Sequence, residues 1–301
     1  MKKLYVKNLS NKFPSKDITE EDILFKLKKI CSKKKRKIKI KDQIFFDKKN
    51  IPVIAGPNGV DSKVLMENVI NFLTKINIKL IRGHVFKPLT FPYRSKMYND
   101  SSIEGLNWLD EIKKKQKKIA IVSEITEIQY IDRLIQTADV LQIGSRNMQN
   151  LELLREVAKT GKPIILKRHF GASLRDWFGA AEHILVEGNE NLILCERGVT
   201  SPHTHKITSR FMLDIQAIVA ANELTTFPII SDPSHASFWA PWVEKLALAS
   251  VAGGCDGLII EVHPNPSKSK VDPLQPLNYK QFSKLHKKLK IISKNLSRKI
   301  I

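Results

Sequence analysis

The chain has little cysteine and no long apolar run, and both shortages exclude whole classes of protein. Its 301 residues include 3 Cys. Their number is odd and no two form a Cys-x-x-Cys pair, so neither a disulfide framework nor a zinc knuckle is indicated. No apolar run reaches the ~18 residues of a membrane span, and the first residues lack the apolar segment of a signal peptide. We therefore expect a cytoplasmic protein without membrane association.

The chain is also short of acidic residues, and this shortage is confined to its two ends. Its formal net charge is +21. Residues 1–50 hold 17 Lys and Arg against 6 Asp and Glu, and residues 280–301 hold 8 against none, which leaves 26 against 24 for residues 51–279. The basic run 33–37 contains no aromatic residue. We interpret the ends as solvated basic surfaces and expect no specific nucleic-acid site.

A glycine-rich phosphate-binding loop is absent, and in its place the chain repeats one simple pattern eight times. A short apolar run ends in a polar or charged group, and a helical stretch follows. The runs are 52–57, 78–81, 119–123, 140–143, 163–166, 192–195, 228–232 and 257–260. This pattern predicts an α/β fold, a (β/α)8 TIM barrel, whose active site is built at the C-terminal ends of the strands.

We expect two parts in the chain. A barrel catalytic domain is predicted over residues 51–301, and a short basic N-terminal extension over residues 1–50. Acidic residues ahead of an apolar pattern predict a helix from residue 17 to about residue 31 of the extension. Alternating polarity over 37–46 predicts a short hairpin that caps the barrel floor. The apolar spacing near the end of the chain predicts a last helix over 279–295.

Six basic side chains arise from four of the runs or the loops after them. They are Arg82, Lys87, Arg146, Lys167, Arg168 and Arg197. An arginine binds phosphate or carboxylate oxygens with two parallel hydrogen bonds, and a lysine supplies a point charge. Any one of them is explained equally well as an ordinary surface residue. Six at the strand ends of one mouth would repel one another unless an anion lies between them, so the pattern predicts a site for a small phosphorylated anion.

A second group of polar residues follows the last two runs. His235, Glu261 and Asp272 supply one imidazole and two carboxylates, which suit a divalent metal of the Mn, Fe, Co or Zn kind. The same residues serve equally well as structural hydrogen-bond partners, and both interpretations stay open. Asn58 ends the first run at the same mouth, and its amide is a weak metal ligand but a good hydrogen-bond donor to a substrate oxygen.

The polar strand ends lie within motifs that occur in a distinctive order. The motifs are Ala55-Gly56-Pro57, Arg82-Gly83, Phe86-Lys87-Pro88, the run 142–150, Leu166-Lys167-Arg168, the run 193–198, the run 232–236 and Glu261-Val262-His263-Pro264. Together they closely resemble 3-deoxy-D-arabino-heptulosonate 7-phosphate (DAHP) synthase of the short bacterial type. The resemblance spans residues 52–277. A sister family, 3-deoxy-octulosonate 8-phosphate synthase, shares its fold and mechanism.

The resemblance implies condensation of phosphoenolpyruvate (PEP) with a phosphorylated aldose, the opening step of the shikimate pathway of aromatic amino-acid biosynthesis. Arg146, Lys167 and Arg197 match the residues of the family that bind the PEP phosphate. Arg82 and Lys87 match those that hold the PEP carboxylate. Lys87 is also a candidate proton donor to the aldehyde oxygen.

The resemblance also implies roles around the acceptor. His235, Glu261 and Asp272 match three of the four metal ligands of the family, and His235 and Glu261 join Lys87 as candidate catalytic residues. Asn58, Thr90 and Asp272 are expected on the acceptor side. Where most of the family has a metal-binding cysteine, this chain has Asn58, and in the octulosonate branch an asparagine there accompanies metal-independent enzymes. A divalent metal and a metal-independent mechanism are therefore both open.

The acceptor motif departs further from the family. The arginine that reaches the aldose is replaced by Leu89, the following serine by Phe91, and a glycine-rich loop by the longer segment 94–102. His84 and His169 stand where the family usually has glycine. A leucine cannot replace an arginine–phosphate pair, whose charge-assisted hydrogen bonds contribute on the order of 1.5–3 kcal/mol.

These features leave three hypotheses. The first is a DAHP synthase that uses erythrose 4-phosphate although its acceptor-site residues differ from those of the family. The second is a PEP-dependent synthase for a different aldehyde in a specialised pathway. The third is a non-catalytic barrel that binds PEP, and the complete set of PEP residues argues against it. We favour the first, and expect PEP and an aldose phosphate as ligands and a homo-oligomeric assembly.

Overall fold

A computed structural model describes residue 30 and residues 37–41, 43–47, 49–87, 102–202 and 210–301. Within these ranges, eight parallel strands close into a barrel, in which each strand lies between the strands that precede and follow it in the chain and the last pairs with the first. The predicted TIM barrel is confirmed. The helix predicted from residue 17 falls outside the described residues except at its end, and so does Thr90.

The elements alternate along the chain as the repeated pattern predicts. The strands are β1 Ile38–Ile40, β2 Gln43–Phe46, β3 Asn50–Ile51, β4 Val53–Gly56, β5 Leu80–Arg82, β6 Ala120–Ile125, β7 Val140–Ile143, β8 Ile164–Lys167, β9 Leu192–Glu196, β10 Ile229–Ser231, β11 Gly257–Glu261 and β12 Lys299–Ile300. The helices are α1 Lys63–Lys75, α2 Ser102–Lys115, α3 Ile131–Thr137, α4 Leu151–Lys159, α5 Leu174–Val186, α6 Ile215–Leu224, α7 Pro233–Ser237, α8 Ala240–Ala252 and α9 Tyr279–Asn295.

The helices begin where the sequence places capping residues. Ser62 accepts a hydrogen bond from the backbone N–H of Leu65 at the start of α1. Ser173 and Asp176 form a reciprocal capping box at the start of α5. Asn278 and Gln281 form another at the start of α9, whose bounds agree with the predicted last helix. Such caps satisfy backbone N–H groups that have no partner within the helix.

The floor of the barrel is closed by the hairpin of β1 and β2. The two strands pair antiparallel, and the predicted hairpin is therefore confirmed. Ile38, Ile40 and Phe46 are buried in one cluster with the inward residues of the barrel strands. On the outside of the barrel, β12 pairs in parallel with β3. The division of the chain at residue 50 stays a prediction.

Strand alternation sorts the barrel residues into two cores. The outward side chains of the strands pack against the helices in one large cluster. The inward side chains fill the barrel with a separate apolar cluster, to which Ile54, Leu80, Val122, Ile165, Ile193, Ile230 and Ile259 belong. Since successive residues of a strand point to opposite faces, the residue two positions beyond each inward one points inward again. That position lies at the mouth.

Among the described residues, no helix combines the length and the apolar composition that a membrane crossing requires.

Candidate active site

A layer of polar side chains lies directly above the apolar interior of the barrel. Its members stand two positions beyond an inward apolar residue: Arg82, Glu124, Gln142, Lys167, Arg197, Asp232 and Glu261. All are at most 6% exposed. Each comes from a different strand or from the residue just after it, so the closure of the barrel alone brings seven remote segments to one mouth.

Lys167 and His235 are held by one carboxylate. Nζ of Lys167 donates to Oδ2 of Asp232 at 2.5 Å, and Nδ1 of His235 lies 2.7 Å from the same oxygen. Burial raises the pKa of Asp232, but His235 and Lys167 outweigh it and hold that pKa well below its usual range. Burial lowers the pKa of His235 well below its ordinary value. An anionic aspartate thus orients a lysine and a neutral histidine.

Arg82 and Glu261 form a second buried pair. Nη2 of Arg82 lies 3.2 Å from Oε2 of Glu261 and donates to the carbonyl oxygen of Gly56 at 3.1 Å. The backbone approach here is so close that a Cβ at Gly56 would lie 2.2 Å from the carbonyl oxygen of Arg82. Gln275 also donates to Oε2 of Glu261, at 2.5 Å. Nη1 of Arg82 and Oε1 of Glu261 have no hydrogen-bond partner within the described ranges, so the protein leaves one donor and one acceptor of this pair unsatisfied.

Burial raises the pKa of Glu261 to about 7, against the opposing charge of Arg82. A carboxyl group with a pKa near neutrality can take up and release protons under ordinary conditions.

The three remaining arginines of the predicted cationic set differ in their surroundings. The guanidinium of Arg197 lies 4.2 Å from the ring centre of Phe211, and its buried Nη1 has no partner in the described part of the chain. Burial lowers the pKa of Arg197 to about 10. Arg146 is exposed on a short 3-10 turn after β7.

Arg168 is engaged by the protein itself. Its Nη1 donates to Glu196 at 2.9 Å and to Asp214 at 3.0 Å, and its Nε donates to the carbonyl oxygen of Ala172. Its function in the structure is therefore to hold loops together. The assumption that only a bound anion relieves the repulsion between the cations was also incomplete, because buried carboxylates separate several of them.

Asn58 connects the cationic layer to the loop after β11. Nζ of Lys87 donates to Oδ1 of Asn58 at 2.5 Å, and Nδ2 of Asn58 donates to Oδ2 of Asp272 at 3.3 Å. An ammonium only donates and a carboxylate only accepts, so both neighbours fix the amide in the same orientation. Lys87 also lies 3.6 Å from Glu124. Burial lowers the pKa of Lys87, although Glu124 and Asp272 oppose that shift.

Donor atoms decide how well this site suits a metal. The one atom of Asn58 able to coordinate a cation is Oδ1, and it accepts from the Lys87 ammonium. Oε2 of Glu261 accepts from Arg82 and Gln275. Across the described ranges, no group of three or more His, Cys, Asp or Glu side chains is arranged to hold a metal ion. The donor set as built does not fit a four-ligand metal site, and the metal roles predicted for His235, Glu261 and Asp272 stay predictions.

The sequence analysis assigned no site role to four residues of the mouth: Glu124, Gln142, Asp232 and Gln275. Asp232 had a usable signal, since it stands three residues before His235 and two beyond an inward isoleucine. Glu124 and Gln142 also follow the period of two along their strands. Gln275 lies in the loop after β11 and carries no periodic signal. The predicted PEP and acceptor roles of the other residues stay predictions.

Comparison with known proteins now decides the family. The model of the DAHP synthetase I family matches residues 32–298. This chain belongs to that family. It is therefore an enzyme of the 3-deoxy-7-phosphoheptulonate synthase type, and the resemblance found in the sequence is confirmed.

Individual relatives agree with the family match. A phospho-2-dehydro-3-deoxyheptonate aldolase of Thermotoga maritima is 33% identical over 248 residues, which are 82% of this chain and 71% of the relative. A 2-dehydro-3-deoxyphosphooctonate aldolase of Fusobacterium nucleatum is 28% identical and covers 83% of this chain and 93% of its own length. The crystal structure of the Thermotoga maritima DAHP synthase superposes with a TM-score of 0.82 at 30% identity, over 89% of this chain and 76% of that one.

Proposed function

We propose that the enzyme condenses PEP with erythrose 4-phosphate to give DAHP and inorganic phosphate. One observation carries the proposal: the inward positions at the mouth hold buried cations in fixed positions, as a dianionic phosphate and a carboxylate require. Cations that are oriented before the substrate arrives stabilise developing negative charge without reorganisation. The family match and the phosphoheptonate relative support the same chemistry.

In the proposed mechanism, Arg146, Lys167 and Arg197 hold the phosphate of PEP, while Arg82 and Lys87 hold its carboxylate. C3 of PEP attacks the aldehyde carbon, and the aldehyde oxygen takes a proton from Lys87. The lowered pKa of this lysine makes it a better acid than an ordinary lysine.

Water then adds at C2 of the condensed intermediate. Oε1 of Glu261 is buried and has no partner among the described residues, and we assign it the proton of that water. His235, which Asp232 orients, is the other residue to which we assign a catalytic role. The bond between C2 and the phosphate oxygen breaks, phosphate leaves with the bonding electrons and takes up the proton of the new C2 hydroxyl group, and a ketone remains. Asn58, Thr90 and Asp272 are assigned to the acceptor side.

The reaction proposed here proceeds without a metal. The support is the bridge from Lys87 through Asn58 to Asp272, which occupies the coordinating atom of the amide. In this arrangement the Lys87 ammonium polarises the aldehyde oxygen, a task that a metal would otherwise perform as a Lewis acid.

Phosphate release from PEP tests both the acceptor and the absence of a metal requirement when it is measured with a panel of aldoses and with or without chelator. Release with erythrose 4-phosphate that survives chelator is expected. Chelator-sensitive release would contradict the metal-independent step and keep the synthase assignment. The variant Asn58→Cys is the matched control, because a thiolate at this position should increase bound metal and introduce chelator sensitivity.

A second candidate function has its own support in the sequence. Leu89 and Phe91 replace the arginine and serine of the family motif, so a less charged aldehyde would suit the acceptor side. Release of phosphate only with an aldehyde other than erythrose 4-phosphate would establish this alternative. PEP binding without release for any aldehyde would favour a non-catalytic barrel.

The remaining expectations stay predictions. They are a homo-oligomeric assembly, a cytoplasmic location and no specific nucleic-acid partner. Light scattering on the purified protein checks the first of them directly.

A further inference from the structure

His84 is a buried histidine in the mouth that the proposed mechanism does not use. Its side chain is completely buried, and it stands two residues beyond Arg82. The charges of Lys87, Arg82 and Lys167 all act on its ring. All three are proposed PEP ligands and Lys87 is also the proposed proton donor, so the imidazole lies among the groups that surround the substrate.

Hydrogen bonding fixes which ring nitrogen carries the proton. Nε2 of Gln142 donates to Oε2 of Glu124 at 3.3 Å, which turns the NH2 group of the amide toward this carboxylate. The same Nε2 lies 3.2 Å from Nε2 of His84. Glu124 itself is 3.9 Å from that nitrogen, beyond hydrogen-bond distance. Since the amide nitrogen only donates, Nε2 of His84 accepts, and the ring proton resides on Nδ1.

The Nδ1–H group of His84 is then a donor without an acceptor. The atom is buried and has no hydrogen-bond partner among the residues that the structure describes. A buried donor of this kind is unfavourable unless a ligand completes it. The surrounding positive charges also keep the ring neutral, because burial and those charges lower its pKa well below the ordinary value. His84 thus offers a donor without adding a charge to a crowded cationic site.

We propose that the Nδ1–H group of His84 donates a hydrogen bond to an anionic oxygen of bound PEP. The inference rests on the proposed function, because it names a further contact within the same site. Gln142 and Glu124 act as positioning residues that hold the ring in the required tautomer. Gly144 allows this arrangement, since a Cβ there would lie 2.0 Å from Oε1 of Glu124.

Two amide variants separate the two ring nitrogens. In His84→Asn the amide nitrogen falls near the position of Nδ1, and in His84→Gln it falls near that of Nε2. PEP affinity is measured by calorimetry for both variants, for His84→Gly and for the unaltered enzyme, with thermal unfolding as the check on folding. We expect His84→Asn to stay within a few fold of the unaltered enzyme, and the other two to bind PEP roughly 10- to 100-fold more weakly, as loss of a hydrogen bond to a charged group predicts.

A second experiment decides the matter if both amide variants bind PEP poorly: an added small molecule replaces the missing ring. Imidazole added to His84→Gly should recover PEP affinity, whereas 1-methylimidazole, which has no N–H group, should not. The proposal would be overturned if both compounds restored PEP affinity equally or if neither did. It would also be overturned if all three variants bound PEP with full affinity, or if only His84→Gln retained it. If the unaltered enzyme binds PEP but uses no erythrose 4-phosphate, only the acceptor assignment fails. If it binds no PEP, the proposed function fails as well.

Discussion

The proposed PEP side and the proposed acceptor side of the mouth are built differently. On the PEP side, Lys167 and Arg82 project from strands and are paired with Asp232 and Glu261 over 2.5 and 3.2 Å. On the acceptor side, Asp272 lies in a loop, with a left-handed φ of 47°. Strand-borne ion pairs change only if the barrel changes, whereas loop residues can be exchanged at little structural cost. On the proposed PEP side, the positions of Lys167 and Arg82 therefore depend on the barrel itself, whereas the position of Asp272 depends on a loop.

Removing a strand-borne cation should have the largest effect. Lys167→Ala removes the partner of Asp232 and the proposed phosphate ligand. We expect kcat/KM for PEP to fall on the order of 1000-fold, as for loss of a preorganised charge-stabilising group. Phosphate release measured under initial-rate conditions checks this.

The matched control is Lys159→Ala. Lys159 is exposed in α4 and pairs with Glu156, so its loss should leave kcat/KM unchanged. Equal activity of both variants would show that the PEP side does not depend on its buried cation.

Restoring the family residue on the acceptor side should have the next largest effect, in the opposite direction. Leu89→Arg returns the missing arginine, and a charge-assisted pair with phosphate predicts roughly 10- to 100-fold higher kcat/KM for erythrose 4-phosphate. Steady-state kinetics at saturating PEP gives the answer. An unchanged value would favour a different aldehyde, and Leu89→Lys separates the geometry of the arginine from its charge.

The pH dependence of turnover reports on Lys87, which connects the proposed PEP side to Asn58 on the proposed acceptor side. Burial lowers the pKa of Lys87 from its ordinary value of 10.5. Lys87 must be protonated to act as an acid, so activity should be lost on the alkaline side at a pH below 10.5. A profile of kcat against pH checks this, and Lys87→Arg should move the alkaline limb upward in whatever activity it retains. A limb at or above the ordinary lysine value in the unaltered enzyme would remove Lys87 as the acid.

The smallest effect concerns stability in acid, and it comes from His286, which lies outside both sides of the mouth. Burial lowers the pKa of His286, in α9, from 6.5 to about 4. Between these values the unfolded chain binds a proton that the folded chain does not, so the free energy of unfolding falls as pH falls from 6.5 to 4. With partial solvent screening we expect about 1 kcal/mol. Denaturant unfolding at pH 7 and 4.5 should show a smaller loss in His286→Gln, and equal losses would contradict the shift.

Sequence patterns predicted the barrel well because its strands obey a strict period. The run 140–143 coincides with β7, and the tips of the other runs fall within a few residues of the observed strand ends. Lys167, Arg82 and Glu261 were found for the same reason. The partners of these residues were harder to find, because a pairing such as Lys167 with Asp232 spans 65 positions. In the sequence, His84 stands out only as a histidine where the family usually has glycine, and its donor group follows from the orientation of Gln142 in the structure.

Each mouth residue stands two positions after an inward apolar residue of the same strand. One short stretch of the gene therefore encodes both the strand and the mouth residue that it carries. Each mouth residue travels with its own strand, and a helix separates most strands from the next. Chimeric genes joined within those helices would therefore exchange mouth residues strand by strand, and a pair such as Lys167 and Asp232 would be kept only where both of its strands come from one parent. A recombined chain would keep its closed floor while sampling new combinations of charge at the opposite end.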